Sequence, residues 1–401
     1  MNRIRLTPTF FLVTIIIALA VAPSIALGEG NRNLFLITIM LLSPIVIISS
    51  SSFIKSDIWL WFFMLSIIFI PLLNHPESMR WSTVMYTWMF CLTYLAYNRL
   101  LYRDLFAIED YLRLLKYLIY SYFIVLLIQQ FCVLSGLPVF NVSNYDVMEP
   151  WKLNSLAAEP SHSARIVALL MYCFITIKEI VTNRKYDFSV DLEDDKLIWL
   201  AFLWTMLTMG SATAFIFIAI VLLKFIKFKT LLPLFILTGI ITIIVSFMGV
   251  TSVDRSINFF LAILTLDPNI IIAVDHSASL RIVPMIILSD MIDLTTLNGW
   301  FGHGIDYVSS FLSSKISGIP KGFSGGGLLQ VLIEYGFISF VLFIIFSLSS
   351  SFYKTDYLSL LFLFLLVFLN GINSQIFWLT IILLFTNKYF KKQKLHNRTS
   401  S

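Results

Sequence analysis

Residues 326–348 read GGLLQVLIEYGFISFVLFIIFSL, an apolar run broken by one carboxylate, Glu334. It exceeds the roughly 20 residues that an α-helix needs to cross the hydrocarbon of a bilayer. Its apolar residues are continuous and do not alternate, so it reads as a helix that satisfies its own backbone donors and acceptors, not as a barrel strand. Comparable runs occupy residues 9–27, 34–50, 57–73, 81–97, 114–134, 163–181, 196–209, 212–226, 231–250, 357–370 and 375–387. The expected fold class is therefore all-α: a polytopic integral membrane protein with about twelve transmembrane helices, one helical domain over residues 1–401. Composition agrees, because hydrophobic residues make up 58% of the 401 and charged residues only 13%, too few to solvate the surface of a soluble globular enzyme.

Orientation follows from the bias of Lys and Arg toward the cytoplasm. With the N-terminus inside, twenty of the 28 basic residues fall in cytoplasmic segments, and Arg32, Arg80, Lys152, Arg165, Arg255, Arg281, Lys315 and Lys321 fall outside. Both termini are expected to be cytoplasmic. Arg3 and Arg5 precede the first run, and Ala18-Leu19-Ala20 imitates a cleavage site, but a run of full spanning length favours a retained helix. Cys91, Cys132 and Cys173 each lie within an apolar run and read as small buried hydrophobes. The connectors 98–113 and 183–195 mix both signs of charge and read as solvated. The basic tail from Lys388 to Arg398 fits attraction to anionic inner-leaflet lipid and requires no nucleic acid.

Two outer segments stand out, Ser135 to His162 and the large extracytoplasmic loop 251–325 between spans nine and ten. A long non-helical loop beside a helical bundle raises the prior for function on that face. The larger segment holds four basic against six acidic residues, so an anion site there must rest on placed cations. Within it, Ser279 to Leu294 reads as a helix lying at the membrane surface, with Arg281 near headgroup depth. A guanidinium grips phosphate through two parallel hydrogen bonds; pairing with Asp275 or snorkelling is the structural alternative. In the other segment, Glu159, His162 and Arg165 recur at three-residue spacing across a helix start, where they share one face. A cation in the first turn opposes the helix dipole, which marks Arg165 as a functional candidate. Gly302-His303-Gly304 adds a titratable group on a flexible turn. Neither a phosphate loop, a metal-binding histidine helix nor a serine-nucleophile elbow occurs, so no cofactor and no metal is expected.

These pieces resemble the O-antigen polymerase family, multispan bacterial inner-membrane proteins related to the O-antigen ligases. The resemblance rests on Ala158-Glu159-Pro160-Ser161-His162, the Gly210-Ser211-Ala212-Thr213 break, Arg281, Phe301-Gly302-His303-Gly304, Gly325-Gly326-Gly327 and Glu334-Tyr335-Gly336. It implies an enzyme that joins undecaprenyl-pyrophosphate-linked oligosaccharide repeat units on the periplasmic face. A sugar hydroxyl attacks the donor's anomeric carbon and lipid pyrophosphate leaves. Arg165 and Arg281 would bind the pyrophosphate, and Glu159, His162 or His303 would accept the hydroxyl proton. Membrane lipid and a chain-length regulator protein are the implied partners. The ligases typically carry a histidine just before the span after their large loop; here that place reads Ser324-Gly325-Gly326-Gly327, which argues against a ligase. Ligase or another lipid-sugar glycosyltransferase is one alternative, and a lipid-linked oligosaccharide flippase is the second.

Overall fold

The computed structural model describes residues 8–22, 33–50, 54, 57–103, 106–142, 148–225, 251–274, 276–316, 326–353 and 356–399. Those residues are all-helical, with no strand among them. The expected span at 231–250 lies outside them.

The first eight helices are α1 (Pro8–Ala20), α2 (Leu34–Ser49), α3 (Ile58–Asn74), α4 (Trp81–Leu101), α5 (Ile108–Ser135), α6 (Pro160–Thr182), α7 (Phe188–Thr208) and α8 (Ala212–Leu222). Local chemistry sets several of their ends. The Asn33 side chain caps α2 by accepting from the Leu36 amide, Pro160 opens α6 at a position that needs no donor, and Gly136 and Asn183 close α5 and α6 in the left-handed region. α7 and α8 are separate helices joined through Gly210, whose φ is +69° and where an added Cβ would lie 2.9 Å from the Trp151 carbonyl oxygen.

The segment expected to be a long non-helical loop is instead mostly helix. It contains α9 (Thr251–Leu264), α10 (Pro268–Val274), α11 (His276–Ser289), α12 (Leu297–Phe301) and α13 (Tyr307–Lys315). The reason is a small core of its own: Ala262, Ile271, Val283, Leu288, Val308, Leu312 and Ile316 bury together with Ile333. The helix expected over Ser279–Leu294 runs instead from His276 to Ser289. Beyond it, the Asp293 carboxylate accepts from the Thr295 amide and hydroxyl in a local turn, and Thr296 then caps α12. The chain ends with α14 (Gly327–Ser351), α15 (Tyr357–Leu363, continued by a π turn at Phe364–Phe368) and α16 (Gln375–Thr399).

α6 is the central element. It is buried almost continuously from Ser163 to Ile177 and packs on α5, α7, α8 and α16. Around it α1 lies on α16, α2 on α4, and α3 on α14. Phe90, Tyr94, Phe346 and Trp378 form an aromatic cluster between α4, α14 and α16. α5, with 28 residues, and α14, with 25, are long and apolar enough to cross a membrane; Thr9–Ala20, Leu34–Ser49, Ile58–Asn74, Thr213–Leu222 and Tyr357–Phe368 are shorter apolar helices.

One end of the bundle is ionic. Asp191 and Asp195, expected on a solvated connector, are 2% and 1% exposed in α7. Lys178 holds both carboxylates, Arg184 binds Asp191 through two bonds of 2.6 and 2.7 Å, and the Tyr186 hydroxyl donates to Asp195. The connector is helical because these pairs dock it on α6. No group of three or more metal-ligating side chains occurs among the described residues.

Candidate functional site

At the other end of α6 the chain encloses a cavity of about 720 Å³. Its walls come from the end of α1, the start of α2, the first two turns of α4, residues 157–166, and residues 373–376. Each of these lies at or beside a helix end.

A polar scaffold under the 148–159 segment fixes the start of α6. The Asn154 amide, 1% exposed, donates to the carbonyls of Asn141 and Ala157 at 2.7 and 2.6 Å. Gln129 of α5 donates to Asn154 Oδ1 and accepts from the Ser155 amide. Ser163 closes the arrangement by donating to the Asn154 carbonyl. Buried amides of this kind must be satisfied, so they lock the backbone on which His162 stands.

His162 lies on the cavity wall. It precedes the apolar span that begins at Ser163, and its imidazole is held down to about 4, first by burial and then by Arg165, against the opposing pull of Glu159. It is therefore neutral at physiological pH. Arg165, one turn on, donates from Nε to the Ser161 carbonyl at 3.1 Å and from Nη1 to Asn370 Oδ1 at 2.9 Å. Glu159 is exposed and accepts from the Ser161 hydroxyl at 3.3 Å. Thus the three residues do share one helix start, but only His162 lines the cavity.

His303 stands elsewhere. Its backbone amide donates to the Ile333 carbonyl at 2.8 Å and its ring stacks on Tyr307 at 4.8 Å. The Gly304 amide donates to the Glu334 carbonyl at 3.2 Å, which brings the Phe301–Gly304 motif onto the Glu334–Gly336 motif. Both sides of this contact need glycine: a Cβ at Gly302 would lie 2.2 Å from the Glu334 carbonyl oxygen, and one at Gly336 would lie 2.2 Å from that of Trp300. Glu334 itself is buried. Its carboxylate accepts from the Val308 amide at 3.2 Å and from Gln330 at 3.0 Å. Arg281 lies on the backbone of α11, which packs on α14; its side chain lies outside the described residues.

Several contributors were passed over in the sequence. Asn370-Gly371-Ile372-Asn373-Ser374-Gln375 looks like a short connection between spans, yet Asn373, Ser374 and Gln375 line the cavity and Asn370 holds Arg165. Its density of amides between two apolar runs was the available signal. Arg80, at the start of α4, and Asp306 form an ion pair of 2.8 Å beside the mouth. Nothing local announces that pair, since its partners are 226 residues apart.

The fold and cavity together define an all-helical bundle with a largely apolar chamber at one end, into whose wall a few amides, hydroxyls and one imidazole are set. Comparison of the chain with protein-family models, curated proteins and solved structures finds no match.

Proposed function

We propose that this chain is a multispan membrane glycosyltransferase of the O-antigen polymerase kind, with about twelve spans and both termini in the cytoplasm of a bacterial inner membrane. The observation that carries the reading is the cavity at the outer helix ends, with His162 on its wall and Arg165 on the next turn. Large apolar side chains turned outward support the lipid environment: Leu41, Ile45 and Ile48 on α2, Phe62 and Phe69 on α3, Phe131 and Leu134 on α5. Faces of that size find their natural solvent in acyl chains.

In this reading the acceptor sugar enters the chamber, where Asn373, Gln375, Ser82 and Thr83 offer neutral donors and acceptors to hydroxyl groups. The acceptor oxygen attacks the anomeric carbon of the lipid-linked donor, and the bond from that carbon to the pyrophosphate oxygen breaks. Arg165, with Arg281 as second cation, stabilises the charge that collects on the leaving group. His162 takes the acceptor proton. It is better placed than Glu159 or His303 because it alone of the three lines the cavity. Its low proton affinity keeps it in the accepting form, and an arriving pyrophosphate anion raises that affinity when transfer is needed.

The test is the glycan ladder of a strain lacking the chain, complemented with it or with variants. The intact protein should restore long glycan, and Arg165→Ala, Arg281→Ala and His162→Ala should restore only single repeats while remaining in the membrane. Complete loss of surface glycan in the deletion strain would point to a ligase, and trapped inward-facing precursor to a flippase.

A further inference from the structure

The start of α4 combines features that the proposed reaction has not used. Arg80 is the residue before the helix, Ser82 and Thr83 in its first turn line the cavity, and the first-turn amides carry the positive end of the helix dipole. Among the described residues, Arg80 contacts Asp306 through Nη1 alone, at 2.8 Å, and the Arg80 side chain is 68% exposed. Thr83 donates to the same carboxylate oxygen at 3.4 Å, so the ion pair stands at the rim of the chamber.

Asp306 is oddly employed. It is the residue before α13, where an aspartate ordinarily caps its own helix, but it makes no such bond. The Glu334 carboxylate accepts from the Val308 amide in its place. Asp306 adopts a left-handed φ of +61°, and its carboxylate is turned across to α4. A guanidinium held by one exposed contact is easily transferred to an anion of higher charge that offers two oxygens at once.

We infer that Arg80, with the first turn of α4 and the hydroxyls of Ser82 and Thr83, is a diphosphate-binding site at the cavity mouth, and that Asp306 occupies its guanidinium until the diphosphate arrives. The identity of the ligand as a lipid diphosphate rests on the function proposed above; the site rests on the geometry. Asp306 acts as a competitor for Arg80, so removing its charge should strengthen ligand binding, whereas removing Arg80 should weaken it.

The experiment measures binding of a polyprenyl diphosphate, and separately of inorganic pyrophosphate, to the full chain in lipid nanodiscs, with thermal unfolding of each variant. Arg80→Ala should weaken binding at least tenfold, Arg80→Lys by less, and Asp306→Asn should tighten it severalfold. If Arg80→Ala and Asp306→Asn weaken binding alike and both lower the unfolding temperature, the pair is a structural clasp and the inference fails. Unchanged binding in Arg80→Ala also overturns it, while leaving the proposed function standing. Arg80-dependent binding of pyrophosphate with no binding of the polyprenyl form would uphold the site and sink the lipid-linked substrate. Binding of neither by the wild-type chain would end both.

Discussion

His162 shows how one side chain's chemistry is set by its neighbours. Burial penalises the imidazolium, and the Arg165 guanidinium one turn away repels it, which outweighs the attraction of Glu159. Its folded proton affinity is therefore lower than in the unfolded chain. The linkage has a definite sign: stability is full above the ordinary imidazole range, declines as pH falls from about 6.5, and levels near pH 4. Histidine-selective NMR in nanodiscs should place the His162 midpoint near 4, and Arg165→Gln should move it upward by removing the repulsion. A midpoint at the ordinary value in the wild-type chain would remove His162 as a persistently neutral base. The pattern Glu159, His162, Arg165 was legible in the sequence as one helix face; which of the three meets a chamber was not. That depends on Asn154, Gln129 and Ser155, whose bonds orient the helix start.

At the scale of elements, the join between α12 and α14 is a close backbone contact. Gly336 takes a φ of +79° inside α14, and the Trp300 carbonyl occupies the space where a side chain would stand. Gly336→Ala should therefore cost on the order of 1–3 kcal/mol from the backbone conformation, with a further penalty for the clash. Thermal unfolding in lipid checks this, and a variant as stable as the wild type would show that the two motifs do not pack as described. The ionic end offers a second element-scale prediction. Lys178 is 12% exposed on its side chain and is held by Asp191 and Asp195. Asp195→Ala leaves Lys178 with Asp191 alone and the Tyr186 hydroxyl with only the bond it accepts from Trp199, so destabilisation of about 1–3 kcal/mol is expected. Double replacement with Lys178→Met should recover much of that loss, which a merely solvated connector would not do.

For the molecule as a whole, apolar periodicity and run length determined that the chain would be helical, where most helices lie, and that ionisable residues would concentrate near their ends. These are local properties, written in consecutive residues. Apart from the helix expected over Ser279–Leu294, the helices in the 251–325 segment escaped that reading because they are short and face a small core completed by Ile333, from a distant helix. The chamber was equally hidden. Its walls come from five separated stretches, and its rim pair joins residues 226 positions apart. Periodicity states which face of a helix is apolar, but not which helix ends meet. Only tertiary packing decides that, because contacts distant in the chain are chosen by the shape and hydrogen-bonding needs of all the helices at once.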